Sequence, residues 1–155
     1  YSKQLLQNRP ELQGKDIETT RQACKKFRFK PVSIMNFVEG TRFTKDKHDQ
    51  QNSPFRYLLK PKAGGTAFVL GAMGEQLHKL LDVTIHYPQG IPSFWDYISG
   101  KVHAITVKIN VLPIHKELIG DYNDHVYRER FQQWINQLWI EKDQQLAELA
   151  HQASK

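Results

Sequence analysis

The last quarter of the chain carries the pattern that most limits what this sequence can fold into. Large apolar residues recur there at spacings of three and four positions: Tyr127, Phe131, Trp134, Ile135, Leu138, Trp139, Leu146 and Leu149. That spacing places them on one side of an α-helix. We therefore predict a long amphipathic C-terminal helix behind the loop at residues 120–124. We expect Trp134 and Trp139 to pack against a sheet, and the alternative for both rings is a membrane or partner interface.

The remainder of the chain alternates between helical and strand patterns. The predicted helices are 16–29, 64–81 and 92–98, the predicted strands are 32–38, 82–87 and 101–114, and residues 44–61 are predicted to form a long polar loop. This order predicts an α/β fold with a central β-sheet flanked by helices. Because no linker or internal repeat divides the sequence, we predict one domain over residues 1–155.

Composition and motif spacing exclude several classes of protein. With 39% hydrophobic and 25% charged residues, the chain is typical of globular proteins and not of disordered ones. Cys24 is the only cysteine, which excludes an internal disulfide and agrees with a reducing compartment. No apolar run approaches the roughly 20 residues that span a bilayer, so we predict that this chain alone is soluble or peripheral. The seven histidines show no metal-ligand spacing, and we predict no metal ion and no cofactor.

The positive charge is concentrated in the first part of the chain. Residues 1–62 hold 14 Lys and Arg against 6 Asp and Glu, a net charge of +8. Residues 63–155 hold 8 against 10, a net charge of −2, which together give the total of +6. A basic region of this kind attracts phosphates and anionic lipid surfaces, although a surplus of lysines can also serve solubility alone.

A short apolar segment, 32–38, leads directly into Glu39, Gly40, Thr41 and Arg42. Glycine suits a tight turn at this point because it adopts backbone conformations that other residues resist. The guanidinium of Arg42 offers a planar set of donors that matches a phosphate or a carboxylate. The simplest alternative is a surface turn with an ion pair between Glu39 and Arg42.

The sequence around this turn resembles the third sequence block of the glycerolipid acyltransferases. It is most similar to the lysophosphatidic acid (1-acylglycerol-3-phosphate) acyltransferase branch, whose block reads Phe-x-Glu-Gly-Thr-Arg-Phe-Thr. Further segments also resemble this family: Lys47-His48, 53–56, 58–65 and, as the fourth block, 81–88. The fourth block departs from the proline-rich form of many bacterial members, because Asp82 and Thr84 stand there. The resemblance runs from about residue 9 to residue 146 and implies the C-terminal part of that family's α/β fold.

The catalytic motif of that family is absent from this chain. In the family, the histidine of a His-x4-Asp motif acts as general base on the glycerol hydroxyl, and the aspartate orients it. No histidine here has an aspartate five positions later. We therefore predict no catalytic residue in this chain, and expect it to be an inactive C-terminal piece when isolated. The resemblance implies that the parent protein lies at the cytoplasmic face of the inner membrane and is anchored by upstream segments.

The resemblance also implies roles for individual residues. Arg42 would hold the phosphate of the acceptor, Glu39 would order the site, and Gly40 and Thr41 would shape it. The acceptor would be a lysophospholipid such as lysophosphatidic acid. The acyl group would come from acyl-CoA or acyl carrier protein, both of which are anionic.

Lys60 and Lys62 are further candidates for substrate binding. They stand just before two glycines and a predicted helix start. Anions are favoured at such a place because the first amide protons of a helix are unpaired and the helix dipole is positive there. The alternative is a glycine-rich turn with two solvated lysines.

Two other functions fit parts of the sequence. A non-enzymatic basic module that binds nucleic acid or an anionic membrane would suit the pI of about 9.4 and the aromatic residues Phe27, Phe29, Phe43 and Tyr57 among basic ones. It would leave the Glu-Gly-Thr-Arg block unexplained, and no nucleic-acid-binding motif is present, so we expect no nucleic-acid partner. An inactive, truncated relative with a regulatory role is the third hypothesis.

Overall fold

The structure is a computed structural model that describes residues 32–153. Its elements are α1 (Lys45–Gln51), α2 (Ala63–Met73), β1 (Lys79–His86), α3 (Phe94–Ile98), β2 (Thr106–Pro113), a 3₁₀ turn (Lys116–Leu118) and α4 (His125–Ala153). The predicted α/β class is confirmed, as are the short helix at 94–98 and the long C-terminal helix. The predicted helix at 16–29 and Cys24 lie outside the described residues.

Strands β1 and β2 form an antiparallel hairpin with eight residue pairs, from Lys79 opposite Pro113 to His86 opposite Thr106. Within residues 32–153, these are the two strands of the sheet. Because successive side chains in a strand point to opposite faces, Asp82 and Thr84 share one face. Both are buried, whereas Val83 between them is exposed. One face of the hairpin therefore packs against the body of the protein, and the other is open.

Helix α4 organises the hydrophobic core. Its buried residues Tyr127, Phe131, Ile135 and Trp139 pack with the helix α2 residues Ala63, Ala67 and Leu70 and with Phe55 and Leu118. Trp134 and Leu138 are partly buried and pack against the same cluster. Trp134 and Trp139 thus pack within the protein, but the prediction that they pack against a sheet is corrected, because the cluster around them comes from helices and loops and contains no residue of β1 or β2.

A buried ion pair joins α4 to the hairpin. The Lys142 Nζ lies 2.6 Å from Asp82 Oδ1, and both side chains are almost wholly buried. The same ammonium group donates to the Val83 carbonyl and to Thr84 Oγ1, each at 2.9 Å. Every proton of the ammonium therefore has an acceptor, which is the condition under which a buried charge is tolerated.

The prediction of a strand at 32–38 is wrong. The residues of this segment belong to no strand in the part of the chain that the structure describes. Its polar groups bind the start of α2 instead, since the Val38 carbonyl accepts from the Lys62 N–H at 2.8 Å and Asn36 Nδ2 donates to Thr66 Oγ1 at 2.8 Å. Apolar composition predicts an extended backbone, whereas a strand also requires a neighbouring strand with which to pair.

Two predicted boundaries are also corrected. The predicted loop 44–61 contains helix α1, which begins because Thr44 Oγ1 accepts from the Lys47 N–H and ends at Asn52 in a left-handed conformation. The helix predicted to end at Leu81 ends at Met73. The residues that follow, from Lys79, pair with β2, so tertiary strand pairing overrides their helical spacing.

Candidate functional site

The residues of the Glu-Gly-Thr-Arg block form a tight turn directly before helix α1. The Gly40 N–H donates to the Phe37 carbonyl at 2.8 Å and closes the turn. Gly40 has a φ of +68°, a left-handed conformation that favours glycine. A Cβ at this position would lie 3.3 Å from Lys62 Nζ, so the lysine side chain passes directly over the glycine. The glycine thus allows both the turn and the close approach of a cation.

Glu39 turns toward the protein body and not toward Arg42. Its Oε1 accepts from the Leu59 N–H at 3.2 Å, and the Leu59 carbonyl accepts from the indole N–H of Trp139 at 3.1 Å. Leu59 itself is fully buried. The carboxylate therefore fastens the turn to the segment before α2 and to helix α4. The alternative of a surface ion pair between Glu39 and Arg42 is not what the structure shows.

The surroundings of Glu39 raise its pKa above the ordinary value for a glutamate. Burial is the main cause, because it penalises the charged form of the carboxyl. The Leu59 N–H, the Trp139 indole and the positive charge of Lys142 act in the opposite direction. Glu39 is therefore held by several groups at once and is not a freely solvated side chain.

Arg42 is exposed, and among residues 32–153 its guanidinium forms no hydrogen bond or ion pair. The neighbouring backbone is fixed by Lys47, whose Nζ donates to Thr41 Oγ1 at 2.7 Å and to the Arg42 carbonyl at 3.3 Å. The hydroxyl of Thr41 is thus used in the turn. The arrangement leaves the donors of Arg42 open to solvent while the chain on either side of it is held in place.

Lys62 and Lys60 have different surroundings. Lys62 is exposed, lies against Gly40 and precedes the first residue of α2, whose leading N–H groups have no partner within the helix. The backbone of Lys60 donates to Gln51 Oε1 at 3.2 Å. Its side chain lines a surface cavity of about 600 Å³ with Asn136 and Asp143 of helix α4. The structure thus brings Lys47 and Lys62 against the turn that carries Arg42, whereas Lys60 lies beside the cavity.

Helix α1 and the segment after it are held by a histidine and an aspartate. The His48 Nε2 lies 2.6 Å from the Phe55 carbonyl, and this hydrogen bond, followed by that to Asp49, raises the pKa of the imidazole. Asp143 of α4 accepts from the backbone N–H groups of Arg56 and Tyr57 at 2.9 and 2.8 Å. The loop between α1 and α2 is thereby tied to α4.

Three residues hold the turn or the loop after α1 in place, and these roles were not anticipated from the sequence. They are Trp139, Lys142 and Asp143, all on helix α4. For Lys142, the sequence does indicate a buried position. It stands three residues after Trp139 and four before Leu146, so it places a charge within the apolar side of the helix. A lysine at such a position is buried only when it is paired. Nothing in the local sequence of Asp143 indicates its binding to residues 56–57.

Three further observations concern metal ions, nucleic acids and membrane spans. Residues 32–153 contain no group of three or more His, Cys, Asp or Glu that could hold a metal ion. Of the aromatic residues considered for nucleic-acid binding, Phe43 packs against His48 and Tyr57 lies under the Arg56 guanidinium. Phe27 and Phe29 lie outside the described residues. No helix of the described residues combines the length and the hydropathy needed to cross a membrane.

Comparison with known proteins finds relatives of similar sequence that are named as an acyltransferase. The chain is similar to lysocardiolipin acyltransferase 1. The chicken (Gallus gallus) protein is 25% identical over 126 residues, which cover 75% of this chain and 32% of the relative. The zebrafish (Danio rerio) and mouse (Mus musculus) proteins are 24% and 22% identical over 131 and 140 residues. The chain thus spans about a third of the length of these relatives.

The relatives are named as acyltransferases, which agrees with the family that the Glu-Gly-Thr-Arg block resembles. No protein-family model matches the chain. No solved structure matches it either.

Proposed function

We propose that the protein containing this chain transfers a fatty acyl group from a thioester donor to the free hydroxyl of a lysophospholipid. In this proposal the chain supplies the site for the acceptor phosphate. The observation that carries the proposal is the open guanidinium of Arg42 on a turn that Glu39 fastens to the core. The sequence similarity to lysocardiolipin acyltransferase 1 supports the same assignment.

The electrostatics of the turn suit a phosphate. Arg42 offers several N–H donors in a plane, and charge-assisted hydrogen bonds of this kind are among the strong ones. Lys62 adds a second charge at Gly40, and Lys47 places a third beside Thr41. Because Glu39 is turned inward, its negative charge does not neutralise these cations at the surface. The lysophosphatidic acid type of acceptor is the specific form of the proposal.

The site residues have distinct roles in this proposal. Arg42 binds the phosphate directly, with Lys62 as a second contact. Gly40 keeps the turn narrow enough for Lys62 to approach, and Thr41 holds Lys47. Glu39 positions the turn and does not touch the substrate. We assign Lys60 a weaker contribution through the general field, since its side chain lines the cavity beside α4.

The reaction also needs groups that these 155 residues do not include. We place the general base outside them, because no histidine of the chain stands in a His-x4-Asp motif. The donor in this proposal is acyl-CoA or acyl carrier protein, and the basic residues 1–62 favour either of these anions. No cofactor is required, since the thioester itself is the activated form of the acyl group.

The test is the rate of acyl transfer by the full-length protein as a function of lysophospholipid concentration. Arg42→Ala should lower kcat/KM by about tenfold to a hundredfold, mainly through a higher KM, because a charge-assisted contact to the phosphate is lost. Arg128→Ala is the matched control, since Arg128 is an exposed arginine on helix α4. Unchanged KM and kcat in Arg42→Ala would refute the assignment.

A further inference from the structure

The loop that joins the two strands of the hairpin ends in a compact group of exposed apolar side chains. We name residues 91–98 the hairpin tip. The exposed members are Ile91, Phe94, Trp95, Tyr97 and Ile98. Trp95 retains 74% of its accessible surface and Phe94 retains 67%. Three neighbouring aromatic rings at this level of exposure are unusual for a surface that faces only water.

Helix α3 arranges these side chains on one side. An α-helix turns by about 100° per residue, so Phe94, Trp95, Tyr97 and Ile98 occupy an arc of about 160°. Asp96 lies roughly opposite the centre of that arc. The short helix is therefore amphipathic, with an aromatic side and a single acidic residue on the other.

The polar side of the tip is neutralised within the hairpin. Ser93 and Asp96 form a capping box, in which the Ser93 hydroxyl accepts from the Asp96 N–H and the Asp96 carboxylate accepts from the Ser93 N–H at 3.1 Å. Lys101 lies 3.7 Å from the same carboxylate. The conformation is thus fixed before any partner arrives, which lowers the entropic cost of binding.

We propose that the hairpin tip inserts into the interfacial layer of a lipid bilayer. Tryptophan and tyrosine favour that layer because each has an apolar ring and one polar group. Helices that lie in a membrane interface turn their aromatic and other large apolar residues toward the lipid. Helix α3 has such a side, and the residue on its other side is Asp96. The positive charge of residues 1–62 would add attraction to anionic lipids.

This inference rests on the proposed function, because an enzyme that acylates a lysophospholipid has to reach a substrate that resides in membranes. It adds the surface by which the chain would do so. The row of apolar residues on the open face of the hairpin leads toward the tip, and its members pair across the strands: Leu81 with Val111, Val83 with Ile109, and Ile85 with Val107.

The test is flotation of the 155-residue chain with vesicles of phosphatidylcholine and phosphatidylglycerol in equal parts. The chain should bind, and Trp95→Ser should lower the partition constant by about tenfold, because a large apolar side chain no longer enters the interface. Val126→Ser is the control, since Val126 is 68% exposed on helix α4, and it should change binding less than about twofold. Circular dichroism should show the same helix content in all three proteins.

Fluorescence gives a second readout that does not depend on the strength of binding. Brominated lipids should quench the emission of the bound chain, and Trp95→Phe should retain binding while most of the quenching is lost. Failure of the unmodified chain to bind, or equal binding by Trp95→Ser, would overturn the inference. Self-association that Trp95→Ser abolishes in the absence of lipid would also overturn it, in favour of a second copy of the chain.

These outcomes separate the inference from the proposed function. Vesicle binding needs no acyl transfer, so a full-length protein that binds through Trp95 but transfers no acyl group would refute only the proposed function. A full-length protein that acylates vesicle-embedded lysophospholipid equally well with Trp95→Ser would refute only the role of the tip.

Discussion

At the scale of single residues, the Glu-Gly-Thr-Arg turn separates two charges that the sequence places three positions apart. Glu39 points inward to the Leu59 N–H, and Arg42 stays exposed. An ion pair between the two would have occupied part of the guanidinium and offset its positive charge. The separation keeps the guanidinium available and gives the carboxylate a positioning role.

The raised pKa of Glu39 makes the stability of the chain depend on pH. Because the folded carboxyl binds its proton more tightly than the unfolded one, this group favours folding below the unfolded pKa of about 4.3. That contribution is lost as the pH rises through the folded pKa. Glu39→Gln keeps an acceptor for the Leu59 N–H and removes the buried charge.

We therefore expect the melting temperature of Glu39→Gln, relative to the unmodified chain, to be higher at neutral pH than at about pH 4. Thermal denaturation over this pH range measures the difference. The exposed Glu75→Gln is the control for the loss of one negative charge. A relative melting temperature of Glu39→Gln that falls with rising pH would contradict the placement of this carboxylate.

Alanine substitutions at Gly40 and Gly100 together test whether Lys62 contributes to the site. Their φ angles are +68° and +72°, so an alanine at either position should lower stability by about 1–2 kcal/mol. A Cβ at Gly100 has nothing within 4 Å, whereas one at Gly40 meets Lys62 Nζ at 3.3 Å. Only Gly40→Ala should therefore raise the KM of the full-length enzyme for lysophospholipid. Equal KM values in the two variants would show that Lys62 does not contribute to the binding of the lysophospholipid.

At the scale of elements, helix α4 is the part that holds the site together. It contacts the turn of Glu39 through Trp139, the hairpin through Lys142 and the segment before α2 through Asp143. These three residues lie within five positions, a little more than one helical turn. A shift of this part of the helix would move all three neighbours.

Removing the charge of Lys142 should destabilise the chain strongly. Lys142→Met leaves Asp82 buried without its partner, and we expect a loss of about 3–5 kcal/mol in the free energy of unfolding. The double variant Lys142→Met with Asp82→Leu should lose less than Lys142→Met alone, because no buried charge remains unpaired. Urea denaturation measures each value.

Lys116→Met, at an exposed lysine, is the control for that series. Additive effects of the two substitutions at Lys142 and Asp82 would show that the ion pair contributes nothing of its own to the stability of the fold.

The predictable parts of the fold are those that depend on local sequence. The apolar spacing from Tyr127 to Leu149 gave the correct long helix because one face of a helix is read directly from the sequence. The segment 32–38 and the end of α2 were mispredicted, because each is decided by the presence or absence of a distant strand. For the site, the Gly40 turn was predictable from its residue types. The direction of Glu39 was not, since it depends on a hydrogen bond to Leu59, twenty residues later.

At the scale of the whole molecule, the chain presents two surfaces that its own described residues leave open. One is the cationic turn with Arg42, and the other is the apolar face and tip of the hairpin. A lysophospholipid has the same two parts, an anionic head group and an apolar chain, and it resides at a membrane surface. In the proposed function the cationic turn binds the phosphate of the head group. In the proposed membrane contact the hairpin tip enters the bilayer in which the lysophospholipid resides.

The most direct measurement compares two acceptors with the full-length protein, lysophosphatidic acid and the monoacylglycerol that lacks its phosphate. The account predicts that Arg42→Ala lowers kcat/KM for lysophosphatidic acid by about tenfold to a hundredfold and changes the value for monoacylglycerol by less than about twofold. If Arg42→Ala left the ratio of the two kcat/KM values unchanged, that result would contradict the assignment of Arg42 to the acceptor phosphate.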